Sequence, residues 1–247
     1  MCEGPILKKL LIFALPLLAA NMLQLLFNAA DITVLGIFIT DAARAKSAVA
    51  AVGSTNSLIN LIIGLFVGLS VGANVLVARC VGEGNEEKSK RVVGTSMTIS
   101  LIVGVFLAII GFFFAKTFLE WMDSPDDVID MAAAYLRIYF LGMPIMMLYN
   151  FASAILRAVG DTVRPLIFLC VGGVANVGFN IFFITVVKLD VEGVAIATVI
   201  SQFIAAVLTV ITLMKNDGYS KFELNRMKIA GKELSEIIKI GVPAGLQ

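Results

Sequence analysis

The 247-residue sequence contains no histidine. That removes the commonest metal ligand and the side chain that titrates nearest neutral pH, and it excludes any HExxH site. Cysteine is scarce. Cys2, Cys80 and Cys170 lie far apart with no CxxC spacing, so they read as small apolar residues rather than a disulfide or metal set. No GxSxG elbow and no GxxxxGK[ST] phosphate loop occurs, which leaves no enzyme signature and no nucleotide-driven motor in the chain. Charge is thin as well. Only 15% of residues are Asp, Glu, Lys or Arg, against ~25% in soluble domains. The formal net charge of +1 offers no field to attract nucleic acid.

What the chain has instead is apolar length. Hydrophobic residues make up 59%, and the mean hydropathy is +0.96. No soluble core of this size hides so much apolar surface. A membrane-spanning helix needs ~20 mostly apolar residues. Runs of that kind occur at about Leu7–Ile39, Val49–Ala78, Val92–Ala115, Met131–Ala158, Arg164–Val187 and Gly193–Met214. They are continuous, not alternating, so helices are expected and a β-barrel is not. The fold class read from them is all-α: a polytopic membrane protein with a six-helix bundle over residues 1–214, in contact with membrane lipid.

The breaks between runs carry recognisable signals. Val81-Gly-Glu-Gly-Asn-Glu-Glu-Lys88 reads as a polar turn. Ser124 and Pro125 are expected to cap and open the fourth helix. Gly160 should end that helix, with Asp161 or Thr162 capping the next. Pro16 and Pro144 fall inside spans and should kink them. Gly64, Gly68 and Gly72 form a small-xxx-small series that lets another helix approach closely. Of the 19 lysines and arginines, all but Arg44, Lys46, Lys116, Arg137 and Lys188 fall on one side of this topology. The positive side is the cytoplasmic one, which places the N-terminus in the cytoplasm and the bundle in the inner membrane. The outer loop before the fourth span is acidic, with Glu120, Asp123, Asp126, Asp127 and Asp130.

Residues 215–236 mix charged and apolar positions and read as a cytoplasmic amphipathic linker near the membrane surface, or as a solvated loop. After it, residues 237–247 repeat the opening of the first span: basic residues lead into a short apolar run that reaches a proline, Pro243 here and Pro16 there. Internal repeats are common in transporters. The expectation is that a seventh helix starts at 237 and that a C-terminal lobe is missing.

Polar residues inside spans are the candidates for function. A central Asp costs ~3 kcal/mol on insertion scales, and Asp31 is the one acid well inside a run. Asn21, Gln24, Asn28 and Asp31 are spaced three, four and three apart, which puts them on one helix face. Asn150, Ser153 and Arg157 form a similar stripe, as do Asn176 with Asn180, and Thr198 with Ser201 and Gln202. Such stripes are what a central polar cavity needs, although interhelical hydrogen bonding would also use them. Arg157 has Asp161 four residues on, and reads as half of an ion pair or as a positive-inside anchor.

Four stretches carry a resemblance. They are Ala14-Leu-Pro16 with Asn28-Ala-Ala-Asp31; Val77-Ala-Arg-Cys-Val-Gly-Glu-Gly-Asn85; Ile155-Leu-Arg-Ala-Val-Gly-Asp-Thr-Val-Arg-Pro165; and Gly193-Val-Ala-Ile-Ala-Thr-Val-Ile-Ser-Gln202. With them the chain resembles the N-terminal half of the multidrug and toxic compound extrusion (MATE) family. The resemblance implies one lobe of a twelve-helix, pseudo-symmetric antiporter that exports small cationic or amphipathic compounds against Na⁺ or H⁺. It needs no cofactor beyond that ion and is no enzyme. It also implies an ion-coupling cluster at Asp31, Asn176, Asn180 and Thr198, with Asn180 standing where one branch of the family has a second acid. One acid with amide and hydroxyl oxygens could hold Na⁺, a hard cation, or take a single proton. Gln24, Asn28, Asn150 and Gln202 are the expected substrate-cavity residues. Two other readings stay open: a lipid-linked saccharide flippase of the same superfamily, and a partial chain inactive alone.

Overall fold

The structure, a computed structural model, describes residues 6–39, 42–122, 124–125 and 127–246. The described residues are almost all helical. They form α1 (Ile6–Phe38), α2 (Ala42–Gly82), α3 (Glu86–Trp121), α4 (Ile129–Leu141), α5 (Met143–Ala158), α6 (Val163–Phe182), α7 (Val191–Lys215) and α8 (Gly231–Gly245). Five helices are long and apolar enough to cross a membrane, and a sixth span arises if α4 and α5 are counted as one. That matches the all-α bundle expected. Two helices run well beyond their apolar stretches: α3 has 36 residues, and α2, at 41 residues, measures about 60 Å, roughly twice the hydrocarbon thickness.

The fourth span is broken. α4 and α5 meet at 50°. Gly142 caps α4, and Pro144 lies in the first turn of α5, where a missing N–H costs that helix no bond but cannot carry the ladder of α4 across the joint. The joint is packed on both sides. A Cβ on Gly142 would run into Val199 of α7, and the backbone of Pro144 leaves no room for a Cβ on Gly104 of α3. Pro16, by contrast, sits within an unbroken α1.

Two apolar clusters hold the bundle. One gathers Leu35, Leu136, Phe140, Met143 and Met147 around the α4–α5 joint. The other gathers Leu76, Met97, Phe151, Leu213 and Ile237 at the opposite end. The outer faces keep Leu18, Phe113, Val174 and Phe203 exposed, as lipid-facing helices do.

The turn after α2 forms as expected. Gly84 takes a left-handed φ of 68°, and the Asn85 side chain accepts the Lys88 N–H at 3.0 Å to cap α3. The start of α4 does not. The helix begins at Ile129 with Val128 as its uncapped first boundary, and Pro125 instead accepts the Val128 N–H in a turn, so Ser124 does not cap α4. Asp123 and Asp126 lie outside the described residues, as do Cys2 and the first residues of the N-terminus. Asp130 of the acidic stretch is paired with Lys116 at 2.7 Å.

The segment after α7, the linker of the sequence reading, is a strap. It runs through two short 3₁₀ turns, Gly218–Ser220 and Leu224–Arg226, and lies along the start of α3. Ser89 donates to the Tyr219 carbonyl at 2.7 Å. Thr95 donates to the Lys228 carbonyl at 3.1 Å and accepts the Ala230 N–H at 3.3 Å. Arg226 reaches Glu87 at 2.6 Å. Gly94 lets the Arg226 carbonyl come so close that a Cβ there would overlap it. Because the strap ends early, α8 begins at Gly231 rather than at 237.

α8 then lies against α2 in backbone contact. A Cβ on Gly72 would fall on the Ile237 carbonyl, one on Gly68 on Gly245, and one on Gly241 on the backbone of Leu69. Gly68 and Gly72 therefore do what their spacing suggests, whereas Gly64 faces open space.

Candidate functional site

α1, α6 and α7 bring Asp31, Asn176, Asn180 and Thr198 together at one end of the bundle. α1 can approach α6 because Gly173 leaves room for the Phe27 ring. α7 can approach α6 because Gly172 sits on the Ser201 carbonyl. The spacing of four between Asn176 and Asn180 aims both amides across the same interface.

The hydrogen bonds run in one direction. Thr198 Oγ1 donates to its own helix at the Val194 carbonyl, 2.9 Å away. Asn176 Nδ2 donates to Thr198 Oγ1 at 3.3 Å. Asn180 Nδ2 donates to Asn176 Oδ1 at 3.2 Å and to Asp31 Oδ1 at 2.6 Å. Asp31 is 7% exposed, Asn176 4% and Asn180 0%. One atom in this chain of bonds has no partner: Asn180 Oδ1, fully buried. A buried carbonyl oxygen without a donor is worth ~1–3 kcal/mol of lost solvation. Together with the Asp31 carboxylate it forms a set of hard oxygen atoms suited to a small cation or a proton. Among the described residues no three His, Cys, Asp or Glu side chains cluster, so a transition-metal centre has no ligand set here.

This cluster closes one end of a long crevice. The smaller chamber, about 120 Å³, is lined by Asp31, Asn176 and Thr198 together with Gln24, Asn28 and Gln202. The larger, about 500 Å³, shares Gln24, Asn28 and Gln202 and adds Asn21, Asn150 and Arg157. The polar stripe of α1 thus faces the crevice along its length. Asn150 is partly committed to its own helix, donating to the Met146 carbonyl at 2.9 Å.

Arg157 does not form the ion pair with Asp161 that was one of its two sequence readings. Asp161 is taken by Arg164, through a 3.2 Å ion pair and a 3.1 Å bond from the Arg164 N–H that caps α6. Arg157 turns into the larger chamber instead. Gly160, at φ 94°, ends the helix between Arg157 and Asp161, so the four-residue spacing no longer stacks one side chain over the other.

Sequence reasoning missed several wall residues. Asn56 and Asn60 on α2, and Tyr135 and Tyr139 on α4, line the chamber beside Asp31. Each pair is four residues apart. The tyrosines stack with ring centroids 6.0 Å apart. The same spacing argument that found Asn176 and Asn180 would have found both.

The MatE family model matches residues 16–182. The probable multidrug resistance protein YoeA of Bacillus subtilis is 33% identical over 242 residues, covering 95% of this chain and 51% of that protein. The multidrug export protein MepA of Staphylococcus aureus is 27% identical over 248 residues, covering 99% of this chain and 53% of its own. Among solved structures, a MATE crystallised in its bent conformation is similar with a TM-score of 0.88 at 26% identity, over 98% of this chain and 53% of that one. An inward-facing multidrug resistance MATE transporter of the MOP superfamily gives 0.80 at 28%, over 90% and 50%. The chain spans about half the length of the relatives it matches. A family match over most of the chain, on a bundle whose helices converge on a polar crevice, means that this chain belongs to the MatE family of membrane transporters.

Proposed function

We propose that the chain forms the N-terminal, six-span lobe of a secondary exporter that moves small amphipathic or cationic compounds out across the cytoplasmic membrane in exchange for Na⁺ or H⁺. The single observation that carries this reading is the burial of Asp31 against Asn180 at the closed end of a crevice inside apolar helices. A carboxylate there is expensive unless its charge is periodically neutralised. Binding a cation removes the charge, and releasing it restores the charge. A site whose charge differs between two states biases a two-state bundle, which is the requirement of alternating access.

The oxygen atoms available for Na⁺ are those of Asp31, Asn176, Asn180 and Thr198. For H⁺, Asp31 alone accepts the proton while Asn180 continues to donate to its other oxygen. The neutral polar side chains of Gln24, Asn28, Asn150 and Gln202 line the space where cargo would lie. The distribution of Lys and Arg supports a cytoplasmic N-terminus.

The test is export from proteoliposomes containing the full-length protein, under a Na⁺ gradient or an H⁺ gradient imposed separately. Asp31→Asn should abolish gradient-driven export while leaving the protein folded. Export at the wild-type rate by that variant would overturn the reading.

A further inference from the structure

The crevice has two electrically distinct ends. Asp31 closes one and is bonded to Asn180. Arg157, half-buried in the last turn of α5, lines the other. Among the described residues no carboxylate lines the larger chamber, and Arg157 has no ion-pair partner there. Its nearest acid in sequence, Asp161, is held by Arg164. The residues around it in the chamber, Tyr149, Asn150 and Asn21, are polar but neutral. A guanidinium withdrawn partly from water beside uncharged groups gains strongly from an anion, and its planar fork matches the two oxygens of a carboxylate or phosphate. The rest of the wall suits an apolar body, with Leu25, Ile63, Val67, Met146 and Leu169 along it.

We propose that Arg157 is an oxyanion-recognition subsite in the larger chamber, taking the carboxylate or phosphate of an amphipathic ligand whose apolar part lies along that wall. This deepens the export reading by naming a ligand class. It rests on that reading only for calling the occupant cargo, and binding can be measured without any transport.

The experiment uses the full-length protein in nanodiscs of phosphatidylcholine and compares two ligands: a rhodamine with a free benzoate, and the same dye as its methyl ester. Wild type should bind the benzoate form with a preference about tenfold greater than Arg157→Gln shows, the worth of one charge-assisted pair. The ester should bind both alike, which also reports that the variant is folded. Arg157→Lys should keep part of the preference. The discs are then remade with phosphatidylglycerol. If the wild-type preference persists, the occupant is the ligand's own carboxylate. If it disappears in wild type while Arg157→Gln is unaffected, a lipid phosphate fills the same subsite. A preference equal in wild type and Arg157→Gln, in both lipids, would overturn the proposal, whether or not Asp31 couples export.

Discussion

Asn180 on α6 donates to the Asp31 carboxylate on α1 across 2.6 Å, with both residues buried. The same amide nitrogen also reaches Asn176, so one side chain ties the acid of the first span to the polar face of the fifth.

Removing that donor should strand the acid. Asn180→Leu leaves the Asp31 carboxylate without its bond from α6. Thermal unfolding in detergent should show a loss of about 1–3 kcal/mol, accompanied by a fall in gradient-driven export. Unchanged stability and export would mean that the bond contributes little to either.

Thr198→Val removes the hydroxyl that accepts from Asn176 while preserving shape. If Thr198 Oγ1 is a ligand of the coupling ion, the ion concentration for half-maximal export should rise several-fold with little change in stability, since one interhelical bond in a membrane averages ~0.6 kcal/mol. An unaltered ion dependence would remove Thr198 from the site.

The α2–α8 seam gives a paired test. Gly72→Ala forces a methyl group onto the Ile237 carbonyl and should cost about 1–3 kcal/mol, read as a lower melting temperature. Gly64→Ala, two turns along α2 in open space, should change stability by no more than ~0.5 kcal/mol. Equal effects at the two positions would contradict the packing described.

The strap predicts a change in protease access. Thr95→Val removes the donor to Lys228 and the acceptor for Ala230 at once. Limited trypsin digestion should then cut faster at Lys221, Arg226 or Lys228, by roughly tenfold for a loss of ~1.4 kcal/mol in local closing. Identical digestion rates would show that the hydroxyl does not hold the strap.

The bundle itself was legible because hydropathy and span length are properties of single segments. Asp31, Asn176 and Asn180 were legible because spacing on a helix fixes which residues share a face. Other features escaped. Gly160 was legible as the end of the helix, but the Arg157–Asp161 pair read across it does not form, because Arg164 on the next helix holds Asp161. The linker was legible as a segment of its own, but not that the hydroxyls of Ser89 and Thr95 on α3 hold its backbone in place. The start at Ser124 is a strong local signal, but the chain spends those residues on a turn and begins α4 at Ile129. Asn60 and Tyr139 bear on the site only because α2 packs against both α1 and α4.

The joint at Gly142 separates the wall residues by segment. Tyr135 stands before it in the chamber with the acid, Asn150 and Arg157 come after it in the larger chamber, and Tyr139, just before the joint, borders both. A straight helix would couple these two neighbourhoods rigidly, so that reshaping one disturbed the other. With the elbow between them, substitutions on α5 are expected to reshape the space beside Arg157 while the Asp31–Asn180 pair keeps its geometry. Divergent cargo preference among close relatives is therefore expected to map onto α5 rather than α4.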